Sequence, residues 1–215
     1  MTASLSRRVV AEFRGTAFLV AAVVGSGIMA ELLSAGNVAL ALLANTIATG
    51  AALVALILAF GPSSGAHLNP VVSLADAIEH GLSWSEAGAY SLAQFSGGIA
   101  GTLVAHAMFA LPLVSLARHV RHGKAQMLSE FVATFGLVCV IWGCARSRPT
   151  AAPFAVGSYI TAAYWFTAST SFANPQSRLR GLSAIHSRES DQPMLLILFW
   201  RRLPERLPQR YCFDG

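Results

Sequence analysis

Ser64-Gly65-Ala66-His67-Leu68-Asn69-Pro70-Val71-Val72 interrupts an otherwise apolar chain with a polar, glycine-containing stretch that ends in Asn-Pro. Asn is favoured at a helix N-cap because its side-chain oxygen accepts from a free N–H of the first turn. Pro is favoured at the next position because it has no N–H to satisfy there. Asn69-Pro70 therefore predicts a helix start, and Val71 to Ile78 is long enough only for a short helix. Residues 62–80 are too polar and Gly-rich to cross a bilayer. A polar segment at membrane depth is tolerated only where it lines a cavity, so the stretch reads as a re-entrant half-helix.

Asn-Pro recurs in Thr170-Ser171-Phe172-Ala173-Asn174-Pro175. The flanking sequence repeats too. Ala11-Glu12-Phe13-Arg14-Gly15-Thr16 opens one half and Ser129-Glu130-Phe131-Val132-Ala133-Thr134 opens the other. Each half thus carries Glu-Phe-x-x-Thr and, later, Asn-Pro. An odd number of spans per half inverts the second copy and sets the two helix starts, Asn69 and Asn174, head to head at the bilayer midplane.

The composition agrees. Of 215 residues, 54% are hydrophobic and 12% charged, and the mean hydropathy is +0.56; soluble domains carry about 25% charged residues. Spans of about 20 apolar residues are expected near 11–31, 38–60, 86–112, 126–145 and 151–172. The apolar run after Arg7-Arg8 is too long for a signal-peptide core and is read as a retained first span. Cys139 and Cys144 share one apolar segment and Cys212 lies in the tail, which implies no disulfide framework. The net charge of +5 comes from Arg clusters at the N-terminus, the central loop and the tail and is not a nucleic-acid signal. Arg7, Arg8, Arg146 and Arg148 would be cytoplasmic, with Arg118, Arg121 and Lys124 outside, so the charge bias on orientation is mixed.

Together these motifs, with Ala93-Gln94-Phe95-Ser96-Gly97-Gly98, resemble the aquaporin (major intrinsic protein) family, aquaglyceroporins included, over residues 10–175. The first motif has Val71 where that family usually has Ala. The resemblance implies an all-α integral membrane channel of two inverted repeats. In this chain that means five spans and one complete half-helix, in an incomplete channel domain of residues 1–175. It also implies passive conduction of water and small uncharged solutes, a multi-pass place in a cell membrane (a bacterial inner membrane), and a homotetramer. Asn69, Pro70, Val71, Asn174 and Pro175 would form the pore centre, with the two half-helix dipoles making it positive toward cations. Glu12 and Glu130 would accept hydrogen bonds from the re-entrant loop backbones, and His67 would stand at the cytoplasmic vestibule. Counting back from each Asn places the narrow filter at Thr49, Ala162 and Ser171, an opening wider than a water-selective one and suited to polyols or neutral metalloid acids. The Arg that the family places shortly after the second Asn-Pro is absent; Ser177 stands there.

Two other functions remain on the sequence. Intramembrane carboxylates are functional by default, so Glu12 and Glu130 also fit a proton-coupled secondary transporter. A non-conducting remnant is the other. No nucleophile–base pair suggests an enzyme, no cofactor motif is present, and His67 has no second ligand at metal spacing. Gly97, Gly98 and Gly101, with Ala93 and Ala105, read as a close-packing stripe.

The family pattern stops at Pro175. Residues 176–215 are Arg-rich, and their one apolar run, Met194 to Trp200, is too short to cross. A single lost nucleotide at codon 175 accounts for this. In the shifted frame, synonymous codons for Gln176 onward allow Ala-Val-Ala-Ile after Asn174-Pro175, parallel to Val71-Val72-Ser73-Leu74. Those for Trp200 to Arg206 allow Ala-Gln-x-x-Gly-Ala, parallel to Ala93-Gln94-Phe95-Ser96-Gly97-Gly98. The tail is thus expected to be a frameshifted segment in place of the sixth span.

Overall fold

The computed structural model describes residues 3–113 and 124–167. Among them there are six α-helices and no strand: α1 (Leu5–Leu33), α2 (Val38–Ser64), α3 (Pro70–Ile78), α4 (Trp84–Met108), α5 (Lys124–Ser147) and α6 (Ala152–Phe166). A 3-10 turn, Pro149–Ala151, joins α5 to α6. Three of these are long and apolar enough to cross a membrane: α1, α2 and Met127–Ser147 of α5. The 25-residue α4 matches them in length, but Gln94, Ser91, Ser96 and its glycines lower its hydropathy. α6 ends at Phe166, with Thr167 extended as its C-cap, short of the expected boundary at 172; residues 168–172 lie outside the described residues.

Local chemistry sets the boundaries. Asn37 caps α2 through Leu40 N–H, and Gly65, with φ of 89°, ends it in the left-handed conformation that glycine adopts without strain. That end lies four residues beyond the expected boundary at 60, because Pro62 is accommodated in the final turn. Ser83 and Glu86 form a reciprocal capping box at the start of α4.

Packing follows the small residues. A Cβ added at Gly97 would run into the Phe13 carbonyl oxygen, and one at Gly101 into that of Ala17. Glycine is what lets α1 and α4 touch backbone to backbone. Ala93 and Ala105 are buried on the same seam, as the predicted stripe requires. One core cluster joins α1 to α4 through Val20, Val24, Ile28 and Ala105. A second gathers Ala77, Leu82, Ala87 and Tyr90. A third, Val72, Leu137 and Val156, ties α3 to α5 and α6, so the half-helix is held by both halves of the chain.

Two ion pairs fix the ends. Arg8 meets Glu86 at 2.8 Å and Arg146 meets Glu79 at 3.4 Å. The starts of α1 and α4 and the ends of α3 and α5 therefore lie at one end of the bundle. The end of α2 joins them, because Tyr90 OH donates to the Ser64 carbonyl at 2.8 Å. Residues 65–78 thus leave that end, dip inward and return to it. Nine helical residues rise about 13 Å, which sets Asn69 close to the middle of a ~30 Å hydrocarbon layer.

Candidate functional site: a lumen at the start of a half-helix

Asn69 caps α3 through its own side chain, whose Oδ1 accepts from Val71 N–H at 2.9 Å. With that oxygen engaged, the amide NH2 is left to donate. Asn69 lines a cavity of about 380 Å³. Its wall is largely aliphatic, with Leu19, Val20, Leu53, Ile57, Leu137 and Ile141 contributed by α1, α2 and α5. Polar groups are few and spaced along it, among them Thr49, His67, Asp76 and Glu130.

The approach to Asn69 is a strained loop. Ala66 and Leu68 take φ of 48° and 50°, a left-handed conformation costing roughly 1–2 kcal/mol per non-glycine residue. Glu12 supplies the compensation. Its Oε1 accepts from Ser64 Oγ at 2.6 Å and His67 N–H at 3.0 Å, and its Oε2 accepts from Leu68 N–H at 2.8 Å and Gln94 Nε2 at 2.8 Å. The carboxylate is wholly buried, and the cavity wall does not include it. Gln94 also donates to Ser73 Oγ at 3.0 Å, so one side chain of α4 clamps both the loop anchor and the half-helix.

His67 lies on the cavity wall. Its Nδ1 pairs with Ser73 Oγ at 3.2 Å, its Nε2 lies 3.8 Å from Asp76, and its ring meets Tyr90 edge-on. Asp76, one helical step along α3, is a neighbour that sequence spacing did not bring out. No cluster of three metal-ligating side chains occurs among the described residues.

Thr49 lines the cavity and is buried. Its hydroxyl donates to Asn45 Oδ1 at 3.0 Å and lies 3.3 Å from the Tyr164 hydroxyl. On α6 the cavity wall is made by Val156, Ile160, Ala163 and Tyr164, whereas Ala162 is exposed on another face. The filter position counted back from Asn174 is therefore not on the described cavity wall, and the residues after Thr167 that would complete a filter there lie outside the described residues. Each helical residue turns about 100°, so a one-residue offset moves a side chain off the lumen. Tyr164 was missed because a lone tyrosine in an apolar helix carries no spacing signal. Glu130 lies on the wall, as does Thr134 of the same repeat motif. Pro70 and Val71 form the first turn of α3. Ser171, Asn174 and Pro175 lie outside the described residues.

A re-entrant half-helix that opens into a mostly apolar lumen, inside a bundle of membrane-crossing helices, defines a passive membrane channel. Comparison with known proteins gives the family. The family model described as Major intrinsic protein matches residues 1–177. The chain is 60% identical over 171 residues to Aquaglyceroporin AqpS of Rhizobium meliloti (strain 1021), spanning 80% of this chain and 73% of that protein. It is 35% identical over 148 residues to Aquaporin NIP1-4 of Oryza sativa subsp. japonica, spanning 67% of this chain and 52% of that one. Its fold is similar to the X-ray structure of the aquaglyceroporin from Plasmodium falciparum, with a TM-score of 0.63 at 18% identity over 92% of this chain and 95% of that one. The chain belongs to the major intrinsic protein family. It is a multi-pass membrane channel for water and small solutes and not an enzyme.

Proposed function

We propose that the lumen, with the frame restored after Pro175, passes small uncharged solutes of the polyol or neutral metalloid-acid class as well as water, in a bacterial inner membrane and, when the chain is intact, as a homotetramer. The observation that carries this reading is the Asn69 cap. Its oxygen is held by Val71 N–H at 2.9 Å, so the amide presents only donors to the lumen. The dipole of α3 adds partial positive charge at the same point. Donors suit the oxygen of water or of a hydroxyl group and repel cations. Thr49, a small side chain at the filter level, leaves more room than an aromatic would. The name of the Rhizobium meliloti relative, an aquaglyceroporin, points to the same solute class.

The geometry around Glu12 favours a channel over a proton-coupled carrier. All four of its hydrogen bonds come from donors, and it lies outside the cavity wall. A proton relay needs a carboxylate that meets the lumen and changes partners; Glu12 acts as a loop anchor.

The second Asn-Pro is read here as followed by a frameshifted tail, residues 176–215, in place of the remaining half-helix and sixth span. The 215-residue chain is then expected to conduct poorly, and a version with the frame restored after Pro175 to conduct polyols and water. Liposome swelling with both versions at equal membrane abundance tests this. Equal solute permeability would overturn the tail reading, and uphill uptake driven by a proton gradient would overturn the channel reading.

A further inference from the structure

His67 and Asp76 both line the lumen, and the pair they make is incomplete. His67 Nε2 and Asp76 Oδ2 lie 3.8 Å apart, beyond hydrogen-bond reach. Among the described residues the Asp76 carboxylate accepts no hydrogen bond, whereas that of Glu12 accepts four. Glycines leave room beside both groups. A Cβ at Gly65 would stand 3.1 Å from His67 Nε2, and one at Gly81 would run into the Asp76 carboxylate.

The neighbours of the imidazole place its proton. Gln94 Nε2 donates to Ser73 Oγ at 3.0 Å, which leaves the Ser73 hydroxyl its own proton to give. Its nearer acceptor is His67 Nδ1, at 3.2 Å, with the Asn69 carbonyl at 3.3 Å. With Nδ1 accepting, the neutral ring carries its proton on Nε2. The other tautomer would aim a bare Nε2 lone pair at the carboxylate. The wall thus sets an N–H donor beside an acceptor-only carboxylate, across a gap that one O–H group spans. Its oxygen accepts from Nε2–H and its hydrogen goes to Asp76.

The gap faces one mouth of the lumen. Asp76 lies two turns beyond Asn69, about 10 Å along α3, toward the end of the bundle where Glu79 meets Arg146. One turn back from each of those partners, Asp76 and Trp142 both stand on the wall. The His67 side chain is 12% exposed and that of Asp76 38%, so the carboxylate opens outward and keeps its second oxygen accessible.

We propose that His67 and Asp76 form an entry subsite for a polyol, which rests on the reading that the lumen takes uncharged, hydroxyl-bearing solutes. One hydroxyl bridges Nε2–H and the carboxylate, a neighbouring hydroxyl donates to the second carboxylate oxygen, and Trp142 offers an apolar face to the carbon backbone. Water supplies the bridge but neither of the other two contacts. A divalent cation is a poorer occupant, because no group of three metal-ligating side chains occurs among the described residues. The subsite is built from residues well before Pro175, so it is present in the 215-residue chain whatever that chain conducts.

The test is saturation-transfer NMR on the full 215-residue chain in a deuterated phosphocholine detergent. Glycerol is the probe, and acetone, of similar size but with no O–H to donate, is the control. Glycerol is expected to bind the parent chain, and to bind Asp76→Ala about tenfold more weakly, the effect of one charge-assisted hydrogen bond. Asp76→Asn, which keeps an acceptor oxygen without the charge, should fall between. Acetone should not distinguish the three. Because the Asp76 carboxylate makes no hydrogen bond in the fold, both variants should unfold close to the parent midpoint. Equal glycerol affinity in the parent and Asp76→Ala, no glycerol binding by the parent, or the same loss for acetone overturns the subsite. So does displacement of glycerol by millimolar magnesium, which would give the carboxylate to a cation. Liposome swelling reads conduction separately. Asp76-dependent glycerol binding supports the subsite even where the frame-restored chain passes no glycerol, a result that overturns the proposed conduction instead.

Discussion

Gln94 Nε2 and Glu12 Oε2 lie 2.8 Å apart, joining α4 to α1 at the level where the chain leaves α2 and turns toward Asn69. The same carboxylate receives the N–H groups of His67 and Leu68, so this pair sets the position of the half-helix. Glu12→Gln is expected to break the arrangement, because an amide NH2 would then face a donor. The cost should be about 3 kcal/mol, the range for breaking a buried charged network. It is read as a fall in the thermal unfolding midpoint of the detergent-solubilised chain. A midpoint within a degree of the parent would mean that the loop holds itself.

The α1–α4 seam gives a second expectation. Gly101 has the Ala17 backbone where a side chain would go, so relief requires the helices to separate. Gly101→Val should reduce stability by about 1–3 kcal/mol through overpacking, whereas Gly88→Ala, at an exposed site with open space around it, should leave it nearly unchanged. Parallel unfolding curves distinguish the two. Equal midpoints would show that the seam is looser than the backbone contact implies.

Much of this was legible in the sequence, for physical reasons particular to each element. Asn69-Pro70 announced the start of α3 because N-cap and first-turn chemistry are local. The glycines of α4 announced a close crossing because only a missing Cβ allows one. The hydrogen-bond set around Glu12 was inferred only from family resemblance, since its partners Ser64, His67, Leu68 and Gln94 are brought together by tertiary folding. Tyr164, and not Ala162, stands on the described cavity wall, because counting back from Asn174 fixes depth far better than rotation about α6.

Tyr90 links a surface pair to the pore loop. It is fully buried, accepts from Arg8 Nε at 2.8 Å and donates to the Ser64 carbonyl. Tyr90→Phe leaves that carbonyl without its donor and should cost about 1–2 kcal/mol. Glu86→Gln alters only the half-buried ion pair at the outer end of the chain of contacts, where the glutamine amide can still bond and such pairs contribute little, and its midpoint should barely move. Hydrogen exchange at residues 64–68 should rise in the first variant and not in the second. The reverse order would place the control of the loop at the surface pair.

The tail carries its own test. Inserting one base near codon 175 of the genomic locus should open a frame that continues Asn174-Pro175 with small apolar residues and then encodes a sixth apolar span. An early stop, or a frame with no such span, would make residues 176–215 a genuine extension.

Thr49 offers the most direct test of solute choice. Its hydroxyl is held by Asn45 and faces Tyr164 across the α2–α6 contact, so, with Thr49 as the proposed filter residue, its size and not its mobility is expected to set the opening there. Thr49→Phe in the frame-restored chain fills part of the lumen with an aromatic ring. A polyol, wider than water and needing several hydroxyl contacts at once, should lose at least tenfold in permeability, an effect of about 1.4 kcal/mol on its barrier. Water, passing in single file, should lose far less. Thr49→Ser keeps the hydroxyl and the space and should leave both rates close to the parent. Swelling and shrinking rates of the same proteoliposomes give both numbers. If Thr49→Phe slows water and polyol equally, the side chain blocks the lumen without discriminating, and the filter lies elsewhere along the wall.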